Sequence, residues 1–128
     1  MATKKLQNSK NYQDYVFRDG KLVGRFDDMY RNSAAVPWHQ HETCSQIPVD
    51  IDLTIVNHFT SEIALNKVCD IGCGLGFVTN RLTKMLSLHH QELEVTGCDV
   101  SQAAIEQASE RFKDIKFTYE DITSKKYF

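Results

Sequence analysis

VCDIGCGLGF, residues 68–77, is the stretch of sequence that decides the fold. A short apolar run ends at Ile71, glycines follow at 72, 74 and 76, and helical spacing of apolar residues begins after Gly76. Glycine at such a turn permits unusual backbone torsions and lets a ligand approach the backbone closely. The stretch therefore predicts a strand, a glycine-rich loop, and a helix whose positive end points at a bound anionic group.

Two more strands are predicted further along the chain, at residues 94–99 and 115–119. Between them Ser101 is a suitable N-cap for a helix that places Ala104, Ile105, Ala108 and Phe112 on one face. Strand, helix, strand, helix, strand at this spacing predicts right-handed crossovers and a parallel sheet. We expect an α/β, Rossmann-like doubly wound fold with strand order 3-2-1, truncated after the third strand because the chain stops at Phe128.

The N-terminal part is predicted to be an extension of a different character. Residues 1–50 are expected to hold a loose end, a two-stranded hairpin, and a connector with a helical turn at 27–31. The hairpin's strands are predicted at 15–18 and 21–24, on either side of Asp19-Gly20. A helix that lies against the core is predicted from Asp50 to about Ile63. Its apolar face consists of Ile51, Ile55, Val56, Phe59 and Ile63. We therefore divide the chain into an extension, 1–50, and a partial binding domain, 51–128.

Composition narrows the classes of function. The 128 residues are 41% hydrophobic and 25% charged, with a formal net charge of -2, so no strong positive field favours a nucleic-acid partner. The apolar runs are far shorter than the roughly 18 residues of a membrane-spanning helix, and the N-terminus does not resemble a signal peptide. We expect a soluble, cytoplasmic protein without a membrane partner.

Cysteine and histidine residues offer the main alternative chemistry. The four cysteines form no CxxC pair, and two of them lie in or beside predicted buried strands, which favours reduced thiols. The cluster PWHQHE (37–42), together with Cys44, contains metal-ligating residue types. Because the sequence has no second ligand pair, we predict no metal site.

Acidic residues at the carboxyl ends of the strands suggest which ligand the glycines meet. Asp70 would repel a pyrophosphate but attract an ammonium or sulfonium group. Phe77 stands where a dinucleotide fingerprint needs Gly or Ala, which disfavours NAD. Asp99 occupies the position at which doubly wound folds bind a ribose diol, while Asp121 and Ile122 suit the amine and the face of a base.

Each of these residues also has a purely structural interpretation. Asp99 could cap the helix that follows it, and Asp121 could stabilise a solvated turn. The glycines could serve the backbone alone. The prediction of a nucleoside site therefore depends on the residues occurring together.

The motifs VCDIGCGLGF (68–77), VTGCDVSQAAIEQA (95–108) and EDIT (120–123) resemble the first three binding motifs of class I S-adenosylmethionine-dependent methyltransferases. The resemblance implies S-adenosylmethionine as cofactor, with the glycines at its methionine part and Asp70 at its amino group. It also implies Asp99 at the ribose hydroxyls and Asp121 with Ile122 at the adenine. The full set of implied cofactor-binding residues is Asp70, Gly72, Cys73, Gly74, Gly76, Asp99, Val100, Asp121 and Ile122.

A weaker resemblance concerns the N-terminal part. DDMYRNSAAVPWHQ (27–40) is similar to the lead-in of small bacterial methyltransferases related to the nodulation N-methyltransferases. The resemblance implies that Tyr30 and Trp38 help to cover the cofactor or the acceptor.

The leading hypothesis is a methyltransferase, or the cofactor-binding portion of one, that acts on a small-molecule acceptor. We name no catalytic residue, because in-line methyl transfer depends mainly on proximity and alignment. The alternatives are a non-catalytic S-adenosylmethionine-binding module and, less favoured, half of an NAD-dependent oxidoreductase. An open edge at the first strand would expose backbone groups, so we expect it to be covered. The missing strands could come from a longer chain of which this is a truncated or excised part, or from a second copy in a homo-oligomer.

Overall fold

A computed structural model describes residues 9–124 of the chain. In chain order its elements are α1 (Gln13–Val16), β1 (Phe17–Arg18), β2 (Lys21–Leu22), α2 (Phe26–Asn32), a 3-10 turn (Pro37–His39), α3 (Gln40–Thr43), α4 (Ile47–Thr60), β3 (Lys67–Ile71), α5 (Phe77–Leu86), β4 (Glu94–Asp99), α6 (Gln102–Arg111) and β5 (Lys116–Tyr119).

The main sheet has three parallel strands in the order β3-β4-β5. Helix α5 connects β3 to β4, and α6 connects β4 to β5, so each crossover passes through a helix. This arrangement confirms the predicted α/β fold and its strand order. Within residues 9–124, β3 pairs with β4 alone, so its other edge is open. Covering of this edge by a second copy stays a prediction.

Helix α6 forms as its sequence predicts. Ser101 is its N-cap, and the side chain of Ser101 accepts a hydrogen bond of 3.2 Å from the Ala104 amide. Ala104, Ile105 and Ala108 are buried, as the apolar spacing indicates. The small alanine side chains allow α2 to approach α6 closely.

The predicted hairpin is present but shorter than expected. Phe17 pairs with Leu22 across a turn in which Asp19 and Gly20 both have positive φ. Tyr15 and Val16, which we assigned to the first strand, instead belong to the helical turn α1. Both are almost fully buried. Adjacent residues of a strand point to opposite faces, so a helical turn is the better way to bury two neighbours together.

Helix α4 departs from its prediction. It spans Ile47–Thr60, and Leu53 is its one buried residue, while Phe59 is 71% exposed. The other members of its predicted apolar face are also exposed, namely Ile51, Ile55, Val56 and Ile63. The helix packs on α5 through the opposite side, with the Arg81 guanidinium donating to Asp50 at 2.6 Å. The expectation that the apolar face lies against the core is therefore wrong within the described structure.

The principal core joins the extension to the sheet region. It contains Tyr15, Val16, Met29, Tyr30, Leu75, Ala103 and Ala104. Side chains from both sides of residue 50 thus share one buried cluster, and the division into two units stays a prediction. None of the helices formed by residues 9–124 combines the length and apolar character of a membrane span.

Candidate ligand-binding site

The glycine-rich loop, residues 72–76, sits at the carboxyl end of β3. All three glycines have positive φ, which L side chains rarely adopt. The amides of Gly72 and Cys73 both donate to the Cys98 carbonyl, at 2.8 and 3.0 Å. These bonds attach the loop to the end of β4 and orient the backbone that a ligand would meet.

The three glycines meet different surroundings. A methyl group added at Gly72 would touch nothing within 4 Å, so this position faces open space. At Gly74 it would lie 2.6 Å from the side chain of Gln40, and at Gly76 2.7 Å from the ring of Phe117. Gly72 therefore leaves room for a ligand. At Gly74 and Gly76 the space that a side chain would need is already occupied by Gln40 and Phe117.

Asp99, 8% exposed, joins the glycine loop to the start of α6. One carboxylate oxygen accepts from the Gly74 amide at 2.9 Å, and the other accepts from the Ser101 amide at 2.9 Å. Asp99 thus stabilises the turn that leads into α6, whereas the N-cap of that helix is Ser101. Because each carboxylate oxygen has more than one acceptor site, Asp99 retains capacity to bind a diol.

The carboxylate of Asp70 is fixed by a hydrogen bond from a residue in the first turn of α5. The donor is the Thr79 hydroxyl, at 2.6 Å, and Thr79 is completely buried. None of the sequence motifs described above predicted a role for Thr79. A hydroxyl one turn into the helix that follows a glycine loop is the signal that could have found it.

Three adjoining cavities meet at Gly72, with volumes of about 410, 280 and 270 Å³. The first contains Asp99, Val100, Asp121 and Ile122. The second is bounded by Phe26, Tyr30, Trp38, Gln40, Asp99 and Val100. The third contains Gln40, Thr43, Asp70, Cys73 and Phe77. The structure thus brings Asp70, Asp99 and Asp121 around Gly72, although they are distant in sequence. Tyr30 and Trp38, the residues predicted to cover the ligand, lie at the same glycine.

A larger cavity of about 530 Å³ lies between α4 and α5, beside Leu53 and Arg81. It contains none of the predicted site residues. We favour the cavities at Gly72 because they combine carboxylates, a loop with an open backbone, and apolar walls.

Asp121 and Ile122 follow the end of β5. Asp121 accepts from both the amide and the hydroxyl of Thr123, at 2.9 and 2.6 Å, so it stabilises a local turn. Ile122 is 43% exposed and lines the same cavity as Asp99. The pair is therefore positioned at the cavity wall, and its role toward adenine stays a prediction.

Burial keeps several groups near the loop neutral. Burial, reinforced by the carboxylates of Asp99 and Asp70, raises the pKa of the Cys73 thiol far above its usual range. Burial also raises the pKa of Tyr30 to about 12 and that of Cys98 to about 11. These thiols and this phenol are protonated at neutral pH, so the local charge comes from the aspartates.

Cys69 is exposed, contrary to our expectation for a strand thiol, because it lies with Lys67 and Ile71 on the exposed face of β3. Its sulfur lies 3.7 Å from that of Cys98, and all four cysteines are free thiols. Within the described part of the chain, no group of three His, Cys, Asp or Glu side chains could hold a metal ion. His39 and His41 instead lie near Glu42 at the surface.

Trp38 and Tyr30 belong to an aromatic group above Gly72. The Trp38 ring centroid lies 6.3 Å from those of both Phe26 and Tyr30, and 5.9 Å from that of Tyr12. Trp38 and His39 have positive φ, an uncommon backbone conformation for non-glycine residues. Phe26 and Gln40, which the sequence analysis did not name, contact the same cavity.

Residues 68–127 match the family described as "Methyltransferase domain". A malonyl-[acyl-carrier protein] O-methyltransferase from Bacillus cereus is 30% identical over 93 residues, which cover 71% of this chain and 33% of that protein. A ribosomal RNA small subunit methyltransferase C from Photobacterium profundum is 42% identical over 62 residues, or 45% of this chain and 17% of that protein. The chain thus spans a third or less of the length of these relatives.

The fold comparison agrees with the sequence comparisons. The CMeT domain of the citrinin polyketide synthase superposes with a TM-score of 0.52 at 23% identity. The match covers 69% of this chain and 27% of that domain structure, which supports the Rossmann-like fold. Residues 68–127 therefore belong to the methyltransferase domain family, and the fold shared with the solved structure is Rossmann-like.

Proposed function

We propose that this chain supplies the S-adenosylmethionine-binding portion of a methyltransferase that acts on a small-molecule acceptor. The observation that carries the proposal is the convergence of three cavities on Gly72, an open loop position flanked by Asp70 and Asp99. The carboxyl ends of parallel strands are where doubly wound folds bind their ligands.

The residues present fit this cofactor by charge and shape. Asp70 and Asp99 supply negative charge near the loop, which suits a ligand that carries a sulfonium and an ammonium group. Asp99 would hold the ribose hydroxyls, and Val100 and Ile122 offer apolar surface to the adenine. Gly72 and Cys73 would border the methionine part, with Gly74 and Gly76 shaping the loop around it.

When bound, S-adenosylmethionine supplies an electrophilic methyl group on its sulfonium. The chain's own residues would bind and orient the donor, and the aromatic group around Trp38 would keep water from it. Alignment of donor and acceptor then provides most of the rate enhancement. Tyr30 and Cys73 are protonated near pH 7, so we assign neither of them the role of a base.

The acceptor is proposed from charge rather than from the relatives. One relative is named for malonyl-[acyl-carrier protein] and the other for ribosomal RNA, so similarity alone does not select an acceptor class. A net charge of -2 favours a small molecule over a polyanion. The exclusion of nucleic acid and a cytoplasmic location remain predictions.

Isothermal titration with S-adenosylhomocysteine tests the cofactor part of the proposal. The wild-type chain should bind, and Asp99→Asn should weaken binding at least tenfold, because hydrogen bonds to charged groups contribute about 1.5–3 kcal/mol. The matched control is Asp52→Asn, an exposed carboxylate on α4, which should leave the affinity unchanged. Absence of heat at millimolar ligand with a folded wild-type chain would contradict the proposal.

Two further measurements separate the alternatives. Fluorescence titration with NADH should show no saturable binding, because Phe77 occupies the position where the dinucleotide fingerprint has Gly or Ala. Cofactor binding without methyl transfer to a broad panel of small acceptors would instead favour a non-catalytic binding module.

A further inference from the structure

Gln40 connects the N-terminal extension to the glycine loop through two hydrogen bonds. Its side-chain oxygen Oε1 accepts from the Leu75 amide at 2.9 Å. Its side-chain nitrogen Nε2 donates to the Tyr30 hydroxyl at 2.8 Å. Leu75 is 1% exposed, so without Gln40 its amide would have to find another partner inside the protein.

The same side chain forms part of the wall between two cavities. Gln40 lines both the cavity beneath Trp38 and the cavity that contains Asp70, and both cavities reach Gly72. Gly74 has no side chain at the point where Gln40 and Tyr30 approach the loop most closely. The loop is thus shaped to receive this contact as well as a ligand.

The cover segment, residues 37–43, has a backbone that needs external support. Trp38 and His39 have positive φ, a conformation that costs about 1–3 kcal/mol for ordinary residues. The Thr43 hydroxyl donates to the His39 carbonyl at 3.2 Å and supports the turn from within. Gln40 supports it from outside, because it anchors the segment to Leu75.

We propose that Gln40 is a positioning residue that latches the cover segment to the glycine loop and so holds Trp38 over the ligand site. The proposal rests on the proposed function for the identity of the ligand. Gln40 acts through the loop amide of Leu75 and through Tyr30, and it takes no part in the transfer itself.

The chemistry of the two partners explains why this position carries a glutamine. The Leu75 amide can only donate, whereas the Tyr30 hydroxyl can accept or donate. A glutamine satisfies both partners at once. A glutamate can do the same if the Tyr30 hydroxyl donates, and that hydroxyl keeps its proton because burial raises its pKa to about 12. A leucine of similar size can satisfy neither.

Trp38 provides a direct readout, because it is the single tryptophan of the chain. We compare the wild type with Gln40→Leu and Gln40→Glu, and with Gln46→Leu as the matched control at an exposed glutamine whose side chain forms no capping bond. Tryptophan emission is recorded without ligand, and affinity for S-adenosylhomocysteine is measured by titration. Circular dichroism verifies that each variant is folded.

We expect Gln40→Leu to shift the Trp38 emission to longer wavelength and to weaken ligand binding about tenfold. Gln40→Glu should retain wild-type emission and lie within about threefold of the wild-type affinity, because both hydrogen bonds can form. Gln46→Leu should match the wild type in both measurements. Should Gln40→Leu fail to fold, Tyr30→Phe removes one half of the latch and should still shift the emission.

Unchanged emission in a folded Gln40→Leu chain, or in Tyr30→Phe if that variant is needed, would overturn the proposal. It would also be overturned if Gln40→Glu behaved like Gln40→Leu, since the hydrogen bonds would then not be the cause. If the wild type fails to bind S-adenosylhomocysteine, the proposed function is wrong. The emission of the unliganded variants still decides whether Gln40 latches the segment.

Discussion

Two sides of the molecule are held together in different ways. We call them the α6 flank, where the N-terminal extension packs against α6 and the glycine loop, and the α4 flank, where α4 packs against α5. On the α6 flank, side chains of the extension contact residues that are far away in the sequence. Asp27 accepts from the Ala103 amide at 2.8 Å, and Gln40 accepts from the Leu75 amide at 2.9 Å. On the α4 flank, Leu53 is the one buried residue of the helix, and Phe59 is 71% exposed.

This difference shows that apolar spacing predicts which face of a helix is suited to burial, but it does not predict which element covers that face. The spacing in α4 indicates a face suited to burial, yet within residues 9–124 that face has no covering element. The α6 flank is covered because the extension provides aromatic and aliphatic side chains that fit against Ala103 and Ala104. The predicted site residues lie near the flank that is covered and tied by hydrogen bonds.

The largest expected effect comes from Gly76→Ala, in the tightly packed loop. Its φ of +78° is unfavourable for alanine, and the added methyl group would lie 2.7 Å from the Phe117 ring. We expect a loss of about 2–4 kcal/mol in the free energy of unfolding, measured with urea. The matched control is Gly20→Ala, where φ is +72° but nothing lies within 4 Å, and the loss should be about 1 kcal/mol. Equal losses at both glycines would show that the Phe117 contact contributes nothing.

Local sequence signals predicted much of the sheet region. The turn from Ile71 into α5, the Ser101 cap and the order of the three strands follow from short-range patterns of apolar residues, glycines and capping groups. Asp70 and Asp99 were found because the carboxyl ends of parallel strands meet at one edge. Their positions around Gly72 agree with that reasoning, and their binding roles remain to be tested.

Long-range contacts were not predictable from the same signals. The hydrogen bond from the Leu75 amide to the Gln40 side chain joins residues 35 positions apart, and neither residue type predicts it. The PWHQHE cluster drew attention to its tryptophan and histidines, whereas Gln40 within it is the residue that reaches the loop. For α4, the missing information was the identity of the neighbour, which helical spacing does not contain.

A pair of substitutions on α4 tests whether this helix is held by its buried face alone, with its apolar face exposed. Leu53→Ala should lower the free energy of unfolding by about 2 kcal/mol, because it removes a buried side chain and leaves a cavity. Phe59→Ala, on the same helix, should change it by no more than about 0.5 kcal/mol because Phe59 is exposed. Urea unfolding of both variants provides the measurement. A large loss from Phe59→Ala would mean that its face is covered in solution, and sedimentation would then show whether a second copy covers it.

The smallest expected effect concerns the electrostatic part of the α6 contact, tested with Asp27→Asn. Burial alone would raise the pKa of Asp27, but hydrogen bonds from the Ala103 amide, Arg31 and Ser101 outweigh it and lower the pKa below 3.8. The variant keeps a carbonyl oxygen for the Ala103 amide and loses the charge at the start of α6. We expect it to cost below about 1 kcal/mol at pH 6.

A lowered folded-state pKa means that this contribution is complete above the unfolded-state pKa and disappears as the pH falls through the folded-state value. The stability difference between wild type and Asp27→Asn should therefore be constant from pH 5 to pH 7 and shrink below about pH 4. Asp28→Asn, which affects an exposed pair with Arg25, is the control for general charge effects. A difference that persists unchanged at pH 3 would assign the contribution of Asp27 to the geometry of its hydrogen bonds, and the α6 flank would then owe its cohesion to packing rather than to charge.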